Sequence, residues 1–222
     1  MFQRALDSPP RLRLGGLSPI RRGGHRLIFE HPENNRALVK IVRLARKSRL
    51  KRWLFKHSKS YRFYADVGRE LAEYQALQAR CAKHPSFIPR ILGVVETDRG
   101  FGLVVEKMRG RDGGLAPTLD ELIRREGMTR KIRDHVGVFC EALCSSRAIV
   151  SDLKLANILL GYDEDNGERL VLVDGLGEKT LIPANRFSRV LSRRTRGRHI
   201  RRMLAQIGRL SQGTADVKLT LV

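Results

Sequence analysis

The stretch VSDLKLANILL, Val150 to Leu160, decides how the rest of the chain is read. Asp152, Lys154 and Asn157 fall within six residues, with apolar runs at Ala148–Val150 and Ile158–Leu160 on either side. Such runs bury the two ends of a loop and leave its polar groups to line a cleft. An aspartate, a lysine two positions on and an asparagine five positions on meet three needs of phosphoryl transfer. They can orient an acceptor hydroxyl, neutralise the moving phosphoryl group and hold Mg²⁺ through a hard oxygen. The plain alternative is a surface loop with Asp and Asn at turn positions. Partners elsewhere in the chain decide between the two.

Working outward, Asp66 to Cys81 carries a helical stripe of Val67, Leu71, Tyr74, Gln78 and Cys81. Glu70 falls within that stripe and Glu73 off its edge. A carboxylate on a buried face needs a cation, so Glu70 predicts a Lys or Arg opposite it. Further upstream, Arg26–Phe29 and Ala37–Val42 are apolar runs joined by HPENN, a hairpin pattern. Phe87–Glu96 and Phe101–Met108 read as two strands joined by TDRG. Gly110–Pro117, GRDGGLAP, reads as a flexible link between lobes. Beyond it, Thr118 and Glu121 form a T-x-x-E capping box, and Ile132, Val136, Phe139 and Leu143 mark a good helix. Ile158–Leu160 and Leu170–Val173 are short runs joined by the acidic turn GYDEDNGE. Helix is expected around Phe187–Leu191 and Ile200–Ile207. Strands come first and helices later, an α+β order in two lobes. The divisions are a poorly ordered lead-in at 1–19, a β-rich N-lobe with one helix at 20–109, the link at 110–117 and a reduced helical C-lobe at 118–222.

Charge is the unusual bulk property. Across 222 residues, 44 Lys and Arg face 23 Asp and Glu, a net +21. Eleven of these cations lie between Asn34 and Ala65 and ten between Lys179 and Ala215, with no acid in either run. The surplus favours phosphate-rich partners, namely RNA, an anionic membrane surface, lipopolysaccharide or a nucleotide, against the alternative of a solvated surface. Trp53, Phe55, Tyr61 and Phe63 are interleaved with the first run, as stacking or interfacial groups or as core. No run of 18 apolar residues exists and the N-terminus lacks an apolar signal core. Cys81, Cys140 and Cys144 read as core thiols of a reducing compartment.

SDLKLANILL resembles the HRDLKxxN catalytic loop of protein kinases, with Val150 and Ser151 in place of His and Arg. The other pieces follow in order. Lys40, ending LVK, resembles the VAIK lysine, and Glu70 matches the helix glutamate that pairs with it. Asp174, 22 residues after Asp152, resembles the DFG aspartate. The resemblance implies a two-lobed protein-kinase-like fold with a short C-terminal lobe, and ATP with Mg²⁺ as cofactors. Lys40 would hold the α and β phosphates, with Glu70 fixing it, and Asn157 and Asp174 would hold Mg²⁺. Asp152 would receive the acceptor proton and Lys154 offset charge on the phosphoryl group. Adenine is expected against backbone groups from Glu106 to Met108.

Over nearly the whole chain, HRLIFEHP, VKIV, RELAEY, VETDRG, LKLANILL and GEKTLIP resemble the YrbL family of PhoP regulatory network proteins, a bacterial kinase-like family. That implies a cytoplasmic, bacterial protein, with association at the inner-membrane surface left open. The acceptor, an envelope sugar or a protein, does not follow from it, and a kinase-like regulator without turnover is the alternative. The sequence also departs from the kinase pattern. Only Gly23 and Gly24 stand where a G-x-G-x-x-G loop is expected, beside Arg21, Arg22 and Arg26. His25 reads as a turn residue. Gly175 stands where the Phe of DFG is expected, and no APE-like segment follows Asp174.

Overall fold

The structure is a computed structural model that describes residues 11–23, 26–42, 58–164, 167–177 and 188–220. Of residues 58–66, 189 and 213–220 it describes the backbone alone. The chain forms two compact units, one of residues 1–67 and 90–107, the other of residues 68–89 and 108–222.

The first unit is an antiparallel sheet of β1 (Arg21–Arg22), β2 (Arg26–His31), β3 (Asn34–Val42), β4 (Ile91–Thr97) and β5 (Gly100–Glu106). The strand order is β1-β2-β3-β5-β4. As expected, HPENN closes a hairpin, with Leu27 opposite Ile41 and Phe29 opposite Val39. The central strand β3 is buried on both faces from Val39 to Val42, which is why its apolar run does not alternate. Phe29, Val39 and Ile41 form this unit's core together with Leu12 and Leu14. Those two leucines correct the expectation of a poorly ordered lead-in to residue 19. The Leu12 amide donates to Glu96 O at 2.9 Å, and the Leu14 amide donates to the Asp98 carboxylate at 2.8 Å. Residues 11–14 thus extend the sheet edge, and burial of two leucines offsets the ordering cost of a Pro/Gly-rich segment.

The second unit holds most of helix α1 (Ser58–Arg80), then α2 (Leu119–Glu126), α3 (Arg130–Ser146), a one-turn 3₁₀ helix (Leu155–Asn157), a hairpin of β6 (Ile158–Asp163) and β7 (Gly167–Leu172), and α4 (Arg189–Thr220). The capping box forms in both directions, Glu121 N to Thr118 Oγ1 at 3.1 Å and Thr118 N to Glu121 Oε2 at 2.8 Å. Ile132, Val136, Phe139 and Leu143 are the four buried residues of α3, as its spacing predicts. They join Leu77, Leu119, Ile123, Leu155, Ile158, Leu172, Met203 and Ile207 in one core.

Several expectations are corrected here. The helix expected from Asp66 starts at Ser58, and its most buried described residues are Glu70, Glu73 and Leu77 rather than the apolar stripe. From Gly68 onward it belongs with the helices and not with the sheet, because Leu77 and Tyr74 pack into their core. Gly110–Pro117 is no loose link: the Gly110 amide donates to Gly114 O, the Ala116 amide to Met108 O, and Ala116 is buried. The boundary falls before Met108 instead. The C-terminal segments form a single helix, while Phe187 lies outside the described residues, as do Trp53 and Phe55. Lastly, Cys144 is exposed and Cys81 only half-buried, so neither is a core thiol, whereas Cys140 is half-buried and packs against the helical core. Among the described residues no helix is long and apolar enough to cross a membrane.

Candidate active site

The loop after α3 is held by backbone and glycine contacts. Arg147 ends α3 in the left-handed conformation, φ 57°, and turns the chain into Ala148–Val150. Val150 bridges Leu176, Gly177 N donates to Ile149 O at 2.8 Å, and Ser151 N donates to Gly175 O at 2.8 Å. The segment before Asp152 and the segment after Asp174 are therefore laced side by side. Below them, Val173 N donates to the Asn157 carbonyl at 2.9 Å. Four residues 22 positions apart at most, Asp152, Lys154, Asn157 and Asp174, come together in this way.

Lys154 Nζ lies 2.8 Å from Asp152 Oδ2. The hydrogen bond to Asp152, then its charge and the charge of Asp174, hold the ammonium above the usual lysine range. Lys154 thus sits against the Asp152 carboxylate and within electrostatic range of Asp174. The Asp174 carboxylate accepts from the Gly175 amide at 2.8 Å, which fixes its first oxygen. Asn157 and Asp174 are neighbours through the Val173 hydrogen bond and supply hard oxygen donors. Two such donors fit Mg²⁺, which keeps several waters and needs no all-protein cage. Among the described residues no cluster of three His, Cys, Asp or Glu exists, so a zinc-type site has no support there.

The departure at Gly175 has a physical cause. Its φ is +100°, and a Cβ there would run into the carbonyl oxygen of Asp152. The side chain that DFG would place at this position has no room. Leu176, one residue later, packs against the core instead. Gly177 is similarly constrained, at φ +84° with Arg69 O 3.0 Å from its would-be Cβ.

Glu70 is buried on α1, as expected. Glu73, read as lying off the stripe, is buried still deeper and has a defined job. Its Oε1 accepts from Ile149 N at 3.1 Å and from Arg80 Nη2 at 3.1 Å. It satisfies the buried amide three residues before Asp152 and so anchors the loop's approach to α1. His199, on α4, is a second group that the sequence did not single out. Burial and the charge of Arg202 hold its imidazole below the usual histidine range, opposed by Asp152 and aided by Arg198. Nothing within 40 residues of Asp152 announces it; only the packing of α4 against the 3₁₀ helix brings the two into electrostatic range.

Lys40 lies on β3 of the other unit, buried, opposite Ile28 and Leu103. Gly23 follows β1 and donates its amide to Arg26 O at 2.8 Å. That amide, expected to cover phosphates, is engaged in the hairpin. Gly24 and His25 lie outside the described residues. In the same unit the amides of Glu106 and Lys107 donate to Arg90 O and Arg36 O, and the Glu106 carboxylate accepts from Arg90 N. Those two amides are therefore sheet groups, not free hydrogen-bonding edges for adenine. Met108, in the helical unit, has a buried side chain and a carbonyl accepting from Ala116.

A sheet with Lys40 on its third strand, a helix bearing a buried glutamate, a loop DLKLAN and Asp174 just after a hairpin make an α+β chain whose elements follow the order of the kinase motifs it resembles. The family described as PhoP regulatory network protein YrbL matches residues 12–208. Proteins named YrbL from Escherichia coli (strain K12) and Shigella flexneri, both called uncharacterized, are each 30% identical over 198 residues, covering 88% of this chain and 87% of theirs. The chain belongs to the YrbL family. A solved structure, the PpkA-294 apo form, aligns with a TM-score of 0.48 and 18% identity over 71% of this chain, which spans only 56% of that one.

Proposed function

We propose that this YrbL-family chain is an ATP- and Mg²⁺-dependent phosphotransferase. The observation that carries the reading is the convergence of Asp152, Lys154, Asn157 and Asp174 in one unit, with the Lys154 ammonium on the Asp152 carboxylate. Asp152 accepts the proton of an acceptor hydroxyl, and Lys154 faces the charge that develops on the group in transfer. Asn157 and Asp174 would hold Mg²⁺, whose chemistry there would be neutralisation of phosphate charge. Lys40 is the residue assigned to the α and β phosphates.

Nucleotide binding measured with and without Mg²⁺ tests this. Saturable, Mg²⁺-dependent ATP binding that is lost in Asp174→Ala supports it. Turnover should then fall by about 10²–10⁴-fold in Asp152→Asn with ATP affinity little changed. No ATP binding at millimolar concentration sinks the reading. A second reading, a kinase-like regulator that binds nucleotide, nucleic acid or a protein partner without turnover, is favoured by the engaged amides of Gly23, Glu106 and Lys107. Equal, near-zero turnover in the parent and in Asp152→Asn, with ATP binding retained, would select it.

A further inference from the structure

On the helical unit, a groove of about 1630 Å³ lies among α1, the C-terminal end of α3 and the first half of α4. It is distinct in lining from the cluster just described: none of Asp152, Lys154, Asn157 and Asp174 is among its walls. Its charge is one-sided. Arg80, Arg147, Arg193, Arg194, Arg198 and Arg201 line it. The one acid among its described lining residues, Glu73, is 1% exposed and already bonded to Arg80 and to Ile149 N. Arg196 turns inward and donates to Ala148 O at 3.0 Å, so it braces the wall.

Helix α4 carries no acid from Arg189 to Ala215, and among the described residues no carboxylate pairs with Arg193, Arg194, Arg198 or Arg201. Arg194, Arg198 and Arg201 follow i, i+4, i+7 spacing, one stripe of about 10 Å along the axis. Like charges stacked in this way repel and are tolerated most easily when an anion lies over them. A row with about one guanidinium per turn is matched by several anionic groups rather than one. Every cation among the described lining residues is arginine, whose planar fork grips phosphate oxygens in pairs. Phosphate also carries up to about two charges per group, which suits so dense a cluster better than carboxylates. Among the described residues no aromatic side chain lines the groove to stack a base, which disfavours single-stranded nucleic acid.

We infer that the groove is a second anion site, for a ligand bearing two or more closely spaced phosphate groups. Such a ligand is either a soluble oligophosphate or the phosphorylated headgroup of a lipid. The site does not depend on ATP turnover or on Asp174.

The test titrates the full chain with sodium tripolyphosphate by calorimetry at fixed ionic strength. The comparison variants are Arg194→Ala/Arg198→Ala/Arg201→Ala and the matching triple Arg→Lys, each checked for folding by circular dichroism. All three residues are solvent-facing or at the groove, with none in the core. Binding should persist in Asp174→Ala without Mg²⁺, weaken about tenfold or more in the alanine triple, and recover only in part with lysine. Cys144, exposed and on the groove wall, gives a separate readout: tripolyphosphate should slow its alkylation by N-ethylmaleimide. Co-sedimentation with phosphatidylcholine vesicles containing phosphatidic acid identifies the source. Vesicle binding lost in the alanine triple points to a lipid headgroup, and tripolyphosphate binding alone to a soluble ligand. The proposal is overturned if neither probe binds, if the alanine triple binds like the parent, or if poly(U) binds through these arginines while tripolyphosphate does not.

Discussion

At the scale of single residues, the site is governed by close approaches that composition conceals. Gly175 is the clearest. Because its φ is +100° and its missing Cβ would meet the Asp152 carbonyl, Gly175→Ala should push apart the two segments that place Asp152 and Asp174. Left-handed strain alone costs about 1–2 kcal/mol, and the clash adds to it. We expect a loss of at least about 2 kcal/mol in urea unfolding; an unchanged midpoint would refute the contact. His199 gives a pH signature. Its folded pKa lies below the ordinary 6.5, mainly through burial. The unfolded chain therefore takes up a proton first as pH falls, and stability drops as pH moves from about 6.5 down through the lowered value. In His199→Gln that part of the pH dependence should vanish from unfolding curves recorded between about pH 5 and 7.5. Cys140, pushed up to about 11 by burial and by Cys144, stays protonated at neutral pH and should not compete with Cys144 for alkylation.

At the scale of elements, one buried carboxylate ties a helix to the candidate active site. Glu73 on α1 holds the Ile149 amide and the Arg80 guanidinium. In Glu73→Ala that buried amide loses its acceptor, a cost of about 1–3 kcal/mol, whereas Glu73→Gln keeps an acceptor and should lose less. Equal losses for the two variants would show that volume, not the hydrogen bond, matters there. The helices themselves were legible where an apolar stripe and a cap coincide, as in α2 and α3. On α1 the apolar stripe misled, since two of its three buried described positions hold carboxylates, and one of them, Glu73, takes a hydrogen bond from Ile149, 76 residues further along the chain. No local pattern distinguishes a buried Glu73 from a solvated one.

At the scale of the whole molecule, charge is the dominant feature. A net +21 makes the folded state repel itself, while exposed ion pairs such as Arg11–Glu96 are each worth only about 0–1 kcal/mol. Raising NaCl from about 0.05 to 0.3 M shortens the screening length and should raise the melting temperature; a fall would mean that surface ion pairs outweigh the repulsion. The fold class and the order of elements could be read from the chain, because hydrophobic period, capping and turn chemistry are local. The closeness of Asp152, Lys154 and Asn157 was legible too, because one loop anchored by two apolar runs carries them within six residues, whereas Asp174 was reached only through its resemblance to the DFG aspartate. Tertiary structure alone decided where the chain divides, how Leu12 and Leu14 complete the sheet, and why Gly175 tolerates no side chain. It alone also gathered arginines from three helices around one groove. Each of these rests on contacts between residues distant in sequence, and such contacts leave no periodic trace in the chain that makes them.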